Sequence, residues 1–178
     1  MEAKRQTLEH GFGPFYRPDS VVLILGSFPS VKSREAAFFY GHPQNRFWPL
    51  LAHLCGEVTP CTREEKTALL ERHGVALYDV IERCSIIGSA DSTIRDVVPA
   101  DLRPILEESH VEDRIFVNGG TAARLYEKYL LPNLGIAARR LPSTSPANAA
   151  WSFERLLAAW GKELNPVLGG VHENTRML

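Results

Sequence analysis

A continuous apolar stretch, Val21-Val22-Leu23-Ile24-Leu25, runs straight into Gly26-Ser27-Phe28-Pro29-Ser30. Apolar residues without polar alternation predict a strand buried on both faces, and Gly and Pro at its end deliver the chain to a loop at the carboxyl edge of a sheet. Val75 to Ile81, Arg114 to Val117 and Ala138 to Leu141 read as three further strands. Between them the apolar positions fall at helical spacing. Phe47, Leu50, Leu51 and Leu54 mark a helix over Arg46 to Cys55, where Pro49 is tolerable in the first turn. Thr62-Arg63-Glu64-Glu65 is a capping box, opening a helix that carries Leu69 and Leu70 and stops at Gly74. A short helix is expected from Leu102 to Glu108, another from Thr121 to Leu130 after Asn118-Gly119-Gly120, and a last one from Ala147 to Trp160 with Trp151, Leu156, Leu157 and Trp160 inward. Strands alternating with helices predict an α/β fold whose parallel sheet is covered on both faces.

The flanks carry less. Residues up to Asp19, with Gly11-Phe12-Gly13-Pro14, read as a lead-in that packs over the sheet through Phe12, Phe15 and Tyr16, and no separate function is assigned to it. Asn165 to Leu178 has no periodicity and is expected to be a flexible tail, leaving residues 1–164 as one domain, which suits a chain of 178 residues. The formal net charge of -1 gives no bulk attraction to nucleic acid, so any such contact needs a local patch, for which Lys32, Arg34, Arg46, Arg139 and Arg140 are the candidates. Cys55, Cys61 and Cys84 fit neither a zinc nor an iron-sulfur spacing and read as reduced thiols. No segment of signal-peptide type opens the chain and no apolar stretch is long enough to cross a bilayer, so a cytoplasmic protein is expected, nucleoid-associated in a prokaryote.

Three segments hold the candidate chemistry: Gly26 to Ser30, Tyr40-Gly41-His42-Pro43-Gln44-Asn45-Arg46-Phe47-Trp48, and Leu141-Pro142-Ser143-Thr144-Ser145-Pro146-Ala147-Asn148-Ala149. The carboxyl edge of an open parallel sheet is where ligands bind. In this combination and order the segments resemble the uracil-DNA glycosylase superfamily, and within it the hypoxanthine (deoxyinosine) DNA glycosylase branch, over Val21 to Trp160. The resemblance implies a three-layer α/β/α sandwich about a central four-stranded parallel sheet. It also implies a repair enzyme that flips a deaminated base, hypoxanthine first, out of DNA and hydrolyses its N-glycosidic bond. No cofactor, no metal and no membrane are implied; damaged DNA is the partner of a monomer. Extrusion costs least at a mispaired base.

Carried onto this chain, the resemblance gives Asn45 the catalytic role, its amide orienting the attacking water or steadying the departing base. An ordinary helix cap at Asn45 is compatible with that. Base-binding residues are Gly26, which permits close backbone approach, with Ser27, Phe28, Tyr40 and Asp79. Tyr40 stacks on the base, or else forms a buried pair with Phe39; Asp79 accepts a ring N–H that adenine lacks, or else serves backbone groups at a strand end. DNA contacts are expected from Ser30, His42 and Arg46 on one side and from Ser143, Thr144, Ser145 and Asn148, at the amino end of the following helix, on the other. Better-known relatives place a catalytic acid or amide at the third residue of the first loop and some a histidine at the start of the last motif; here these are Phe28 and Leu141, both apolar. A mismatch-specific uracil or thymine glycosylase and a non-catalytic nucleic-acid-binding module of the same fold are the alternatives. There is no GxSxG elbow, and Asn118-Gly119-Gly120 is not a GxGxxG loop.

Overall fold

The computed structural model describes residues 4–88 and 90–168. In chain order the elements are β1 (Arg5–Glu9), β2 (Val22–Gly26), α1 (Val31–Ala36), α2 (Phe47–Cys55), α3 (Arg63–His73), β3 (Val75–Asp79), β4 (Ile81–Ile87), β5 (Arg95–Pro99), α4 (Arg103–Glu108), β6 (Ile115–Asn118), α5 (Gly120–Tyr129), α6 (Leu131–Leu134), β7 (Arg139–Leu141) and α7 (Phe153–Leu168). Strands β3, β2, β6 and β7 form, in that order, a four-stranded sheet in which every pairing is parallel. All of β2 and β3 is buried, as unalternating apolar strands require when helices cover both faces. The capping box forms as expected: Thr62 Oγ1 accepts from the Glu65 N–H at 3.1 Å while Glu65 accepts from the Thr62 N–H at 3.0 Å. Pro49 lies in the first turn of α2, where its missing N–H costs no helical bond.

The register decides what meets at the carboxyl edge. Gly26 pairs with Asp79, and Asn118 with Leu141, so the ends of all four strands present polar or glycine residues or a loop at one rim. Helix α2 packs on α7, where Trp160 is fully buried, 6.1 Å from the Phe47 ring, and donates its indole N–H to Pro142 O at 2.8 Å. That bond fastens the loop after β7 to the core beneath it.

Two expectations need correction. Val75 to Ile81 is not one strand: β3 ends at Asp79, and beyond Val80 the chain continues as β4 into a second sheet, three-stranded and antiparallel, ordered β1-β4-β5. The lead-in therefore contributes a strand. Its sequence, Arg-Gln-Thr-Leu-Glu, is too polar to announce one, and the pairing partner β4 supplies what local propensity does not. Phe15 adds an antiparallel bridge to Leu77, covering the outer edge of β3. The last helix starts at Phe153 rather than Ala147 and runs to Leu168, so Asn165 to Leu168 belong to it and not to a tail; residues 169–178 lie outside the described residues.

Among the described residues no helix is long and apolar enough to cross a membrane. All three thiols are free. Burial, helped by the Glu57 charge, pushes the Cys55 thiol up to about 12, which makes it inert as a nucleophile.

Replacing Trp160 by Phe keeps most of the packing but strands the Pro142 carbonyl. We expect a loss of about 1–2 kcal/mol, read as a lower urea midpoint at unchanged slope.

Candidate active site

A cavity of about 520 Å³ opens at this carboxyl edge, within the range of small-molecule sites. Its walls come from the loop after β2, the Tyr40–Asn45 turn, Asp79, the Asn118–Thr121 turn and the loop after β7, so the three sequence segments do converge.

Asn45 lines this cavity with its amide orientation fixed by donors that cannot be reversed. Its Oδ1 accepts from the Phe47 backbone N–H at 2.9 Å and from the Thr144 hydroxyl at 2.8 Å. The Thr144 hydroxyl in turn accepts from Asn118 Nδ2 at 3.0 Å, and the Thr144 N–H donates to Asn118 Oδ1 at 3.1 Å. A backbone N–H can only donate, so the two backbone groups set both amides, and with them the direction of the hydroxyl. Both lone pairs of Asn45 Oδ1 are occupied. Nδ2 alone remains, and it is a pure donor.

Asp79 forms the second polar group of the wall. It is buried, and its Oδ2 lies 2.6 Å from Nε2 of His10, which is fully buried. The Gly26 position opposite it in register is glycine for a steric reason, since a Cβ there would overlap Asp79 Oδ1. Tyr40 sits beside these groups with φ of 53°, a left-handed conformation unusual for an aromatic residue. Its ring stacks on Phe47, not on Phe39, at 4.0 Å between centroids and 22° between planes, leaving one face unstacked. The hydroxyl is buried and makes no hydrogen bond of ordinary geometry among the described residues. Burial first, then the Asp79 charge, holds the Tyr40 phenol well above its usual value, so it stays protonated.

The model of the family described as "Uracil DNA glycosylase superfamily" matches residues 14–168. The chain belongs to this superfamily. It is 35% identical over 149 residues to a protein named hypoxanthine DNA glycosylase from Methanosarcina acetivorans, covering 83% of this chain and 93% of that one. A protein of the same name from Methanosarcina barkeri is 30% identical over 141 residues, 79% of this chain and 88% of its own length. The solution NMR structure of a candidate uracil DNA glycosylase from Methanosarcina acetivorans superposes with a TM-score of 0.76 at 32% identity, covering 91% of this chain and 99% of the other.

For this superfamily member the expected DNA-facing residues divide. Gly26, Ser27, Phe28, Ser30, His42, Ser143 and Ser145 all line the cavity. Ser30 also caps α1 through the Ser33 N–H, and His42 Nδ1 accepts from the Gln44 N–H at 3.1 Å, leaving Nε2 to carry the proton of the neutral ring. Asn148 lies on an adjoining groove and donates to Ser143 O at 3.0 Å. Two residues do not fit a phosphate-binding role. Thr144 is fully buried with its hydroxyl committed to the two asparagines. Arg46 points inward, donating to the carbonyls of Trp151, of Asn148 at 3.0 Å and of Ser145 at 3.1 Å, which holds residues 145–151 in turns and explains why α7 begins late. Ser145 accordingly does not cap α7. Of the other basic residues, Lys32 pairs with Glu35 at 3.6 Å and Arg139 with Glu163 at 2.8 Å, both exposed pairs of small energetic worth. Arg140 lies against Gly120, and the Arg34 guanidinium sits 6.0 Å from the Phe28 ring, at the cavity rim.

His10 and Asn118 escaped the sequence reading. Asn118 was visible only as the start of a turn, and His10 ends a polar stretch with nothing beside it to mark a partner.

Arg46→Lys replaces a planar fork by a point donor and leaves at least one of three carbonyls unpaired. A loss of about 1–3 kcal/mol in urea unfolding is expected, with faster amide exchange confined to residues 145–151.

Proposed function

We propose that this chain is a hypoxanthine DNA glycosylase: a monofunctional, metal-independent hydrolase that extrudes deoxyinosine from DNA and releases the free base, working as a monomer in the cytoplasm. The names of relatives that each span about four-fifths of the chain support the substrate. The observation that carries the mechanism is the polarity of the Asn45 amide.

With Oδ1 saturated by Phe47 and Thr144, Asn45 presents only N–H to the cavity. It can donate to the purine as negative charge grows there, or to the oxygen of a water, but it cannot take a proton. The C1′–N9 bond breaks with its electron pair leaving on the base, and water adds to the oxocarbenium-like C1′ and loses its proton to solvent. Catalysis then rests on stabilising the leaving group and on placement, which a preorganised donor in a partly enclosed cavity supplies. His42 Nε2 is a second donor of the same wall. Tyr40 offers its free face to the extruded base, and Asp79 Oδ1 accepts the N1–H that hypoxanthine has and adenine lacks. Guanine shares that N–H; it is spared by its exocyclic amine and by the cost of opening a matched G·C pair. Ser30, Ser143, Ser145 and Asn148 are placed to meet the flanking phosphates.

Single-turnover excision from duplexes carrying deoxyinosine, deoxyuridine or deoxyxanthosine tests this. Asn45→Ala is expected to slow hypoxanthine release by about 100-fold or more. Asn45→Asp, which turns the donor into an acceptor, is expected to be no better; an Asp variant faster than the Ala variant would instead make the residue a water-activating base. Release of uracil alone would favour a uracil-specific enzyme, and no release from any duplex would leave a binding module. No enzyme–DNA adduct should survive borohydride treatment.

A further inference from the structure

One buried polar side chain, directly behind Asp79 in the cavity wall, has no part in the reaction as described. His10 follows β1 and is pinned by its backbone N–H, which donates to Glu82 O of β4 at 2.8 Å. The imidazole is fully buried between the rings of Phe12, 4.4 Å away, and Tyr78, 4.6 Å away, with Phe39 and Phe28 beyond them. Nε2 meets Asp79 Oδ2 at 2.6 Å, and Nδ1 is buried with no partner among the described residues. A buried N–H left unpaired is rarer than a buried lone pair left unpaired, so the tautomer that fits is the neutral ring with its proton on Nε2.

We propose that His10 is a specificity-determining positioning residue: it donates Nε2–H to Asp79 Oδ2 and so holds Oδ1, in the space left open by Gly26, as a fixed acceptor for the ring N–H of a lactam base such as a 6-oxopurine. This rests on the reading of Asp79 as the residue that meets the base edge. His10 itself does not touch the base. Its contribution is that a carboxylate this buried stays a directed acceptor only while something donates to its other oxygen; without that donor the carboxyl is free to turn, and Oδ1 no longer stands fixed against the base edge. Discrimination, more than rate, is the quantity His10 controls.

The test compares excision of deoxyinosine with that of deoxynebularine, the same purine lacking both N1–H and the 6-oxo group, by wild type, His10→Leu and His10→Gln under single turnover. Wild type is expected to prefer deoxyinosine by about tenfold or more, as removal of one buried partner implies. In His10→Leu that ratio should fall towards one, whereas His10→Gln, whose Nε2 can stand where the imidazole Nε2 stood, should keep most of it. A His10→Leu protein slower on both substrates by the same factor would make His10 merely structural and overturn the proposal. Wild type that releases no hypoxanthine overturns the underlying reading as well, a result separable from an active wild type with an unmoved ratio. Long-range proton–nitrogen spectra of the wild-type protein test the geometry without substitution: a neutral Nε2–H tautomer at His10 is required, and an Nδ1–H tautomer refutes it even if both variants fail to fold.

Discussion

Thr144 is fully buried and commits every polar group it has within the chain: its N–H to Asn118, its carbonyl to the Arg46 N–H, and its hydroxyl to Asn118 and Asn45 at once. Three segments far apart in sequence, the start of α2, the end of β6 and the loop after β7, are locked through this one residue. Because Thr144 is fully buried, breaking one of these bonds leaves its own group unpaired rather than solvated, so the group is most stable as a whole. The adjacent Arg46 guanidinium extends the lock to the carbonyls of Ser145, Asn148 and Trp151. The orientation of Asn45 is a product of this lock and not of its own preference.

The wall around Tyr40 and Asp79 is assembled on another plan. Tyr40 holds a left-handed backbone that costs an aromatic residue on the order of 1 kcal/mol, and its neighbours absorb that cost: the ring stacks on Phe47, and the preceding Phe39 carbonyl accepts the Trp48 indole N–H at 3.1 Å. Asp79 and His10 satisfy each other in an aromatic enclosure. One part of the wall is a polar network tied to backbone, another a polar pair with aromatic rings packed around the histidine. The cavity they line thus carries a fixed donor, the Asn45 amide N–H, and a carboxylate acceptor, Asp79.

The parallel sheet was legible because β2, β3 and β6 are mainly apolar runs and because β2, β6 and β7 lead into Gly or Pro; the segments that form the cavity were legible through resemblance and through their place at strand ends. The second sheet was not, because β1 is polar and β4 continues β3 with only Val80 between them, so hydropathy shows one strand where the chain turns into another layer. Side-chain direction was equally hidden. Arg46 and Thr144 carry the residue types of a phosphate site, yet face inward, since backbone carbonyls and buried amides compete for them and win. Asn118 looked like turn chemistry, and only the fold sets it opposite Thr144.

Strand β1 and His10 lie ahead of residue 14, outside the stretch that matches the superfamily model, yet His10 backs Asp79 in the cavity wall. The boundary of the matched stretch is therefore not the boundary of what supports the pocket. A fragment trimmed to the matched residues would keep Asn45 and its supports but open the wall behind Asp79 to water. The histidine that supports Asp79 and the network that orients Asn45 thus belong to separate stretches of the chain, one ahead of the matched residues and one within them, and either can be altered without touching the other.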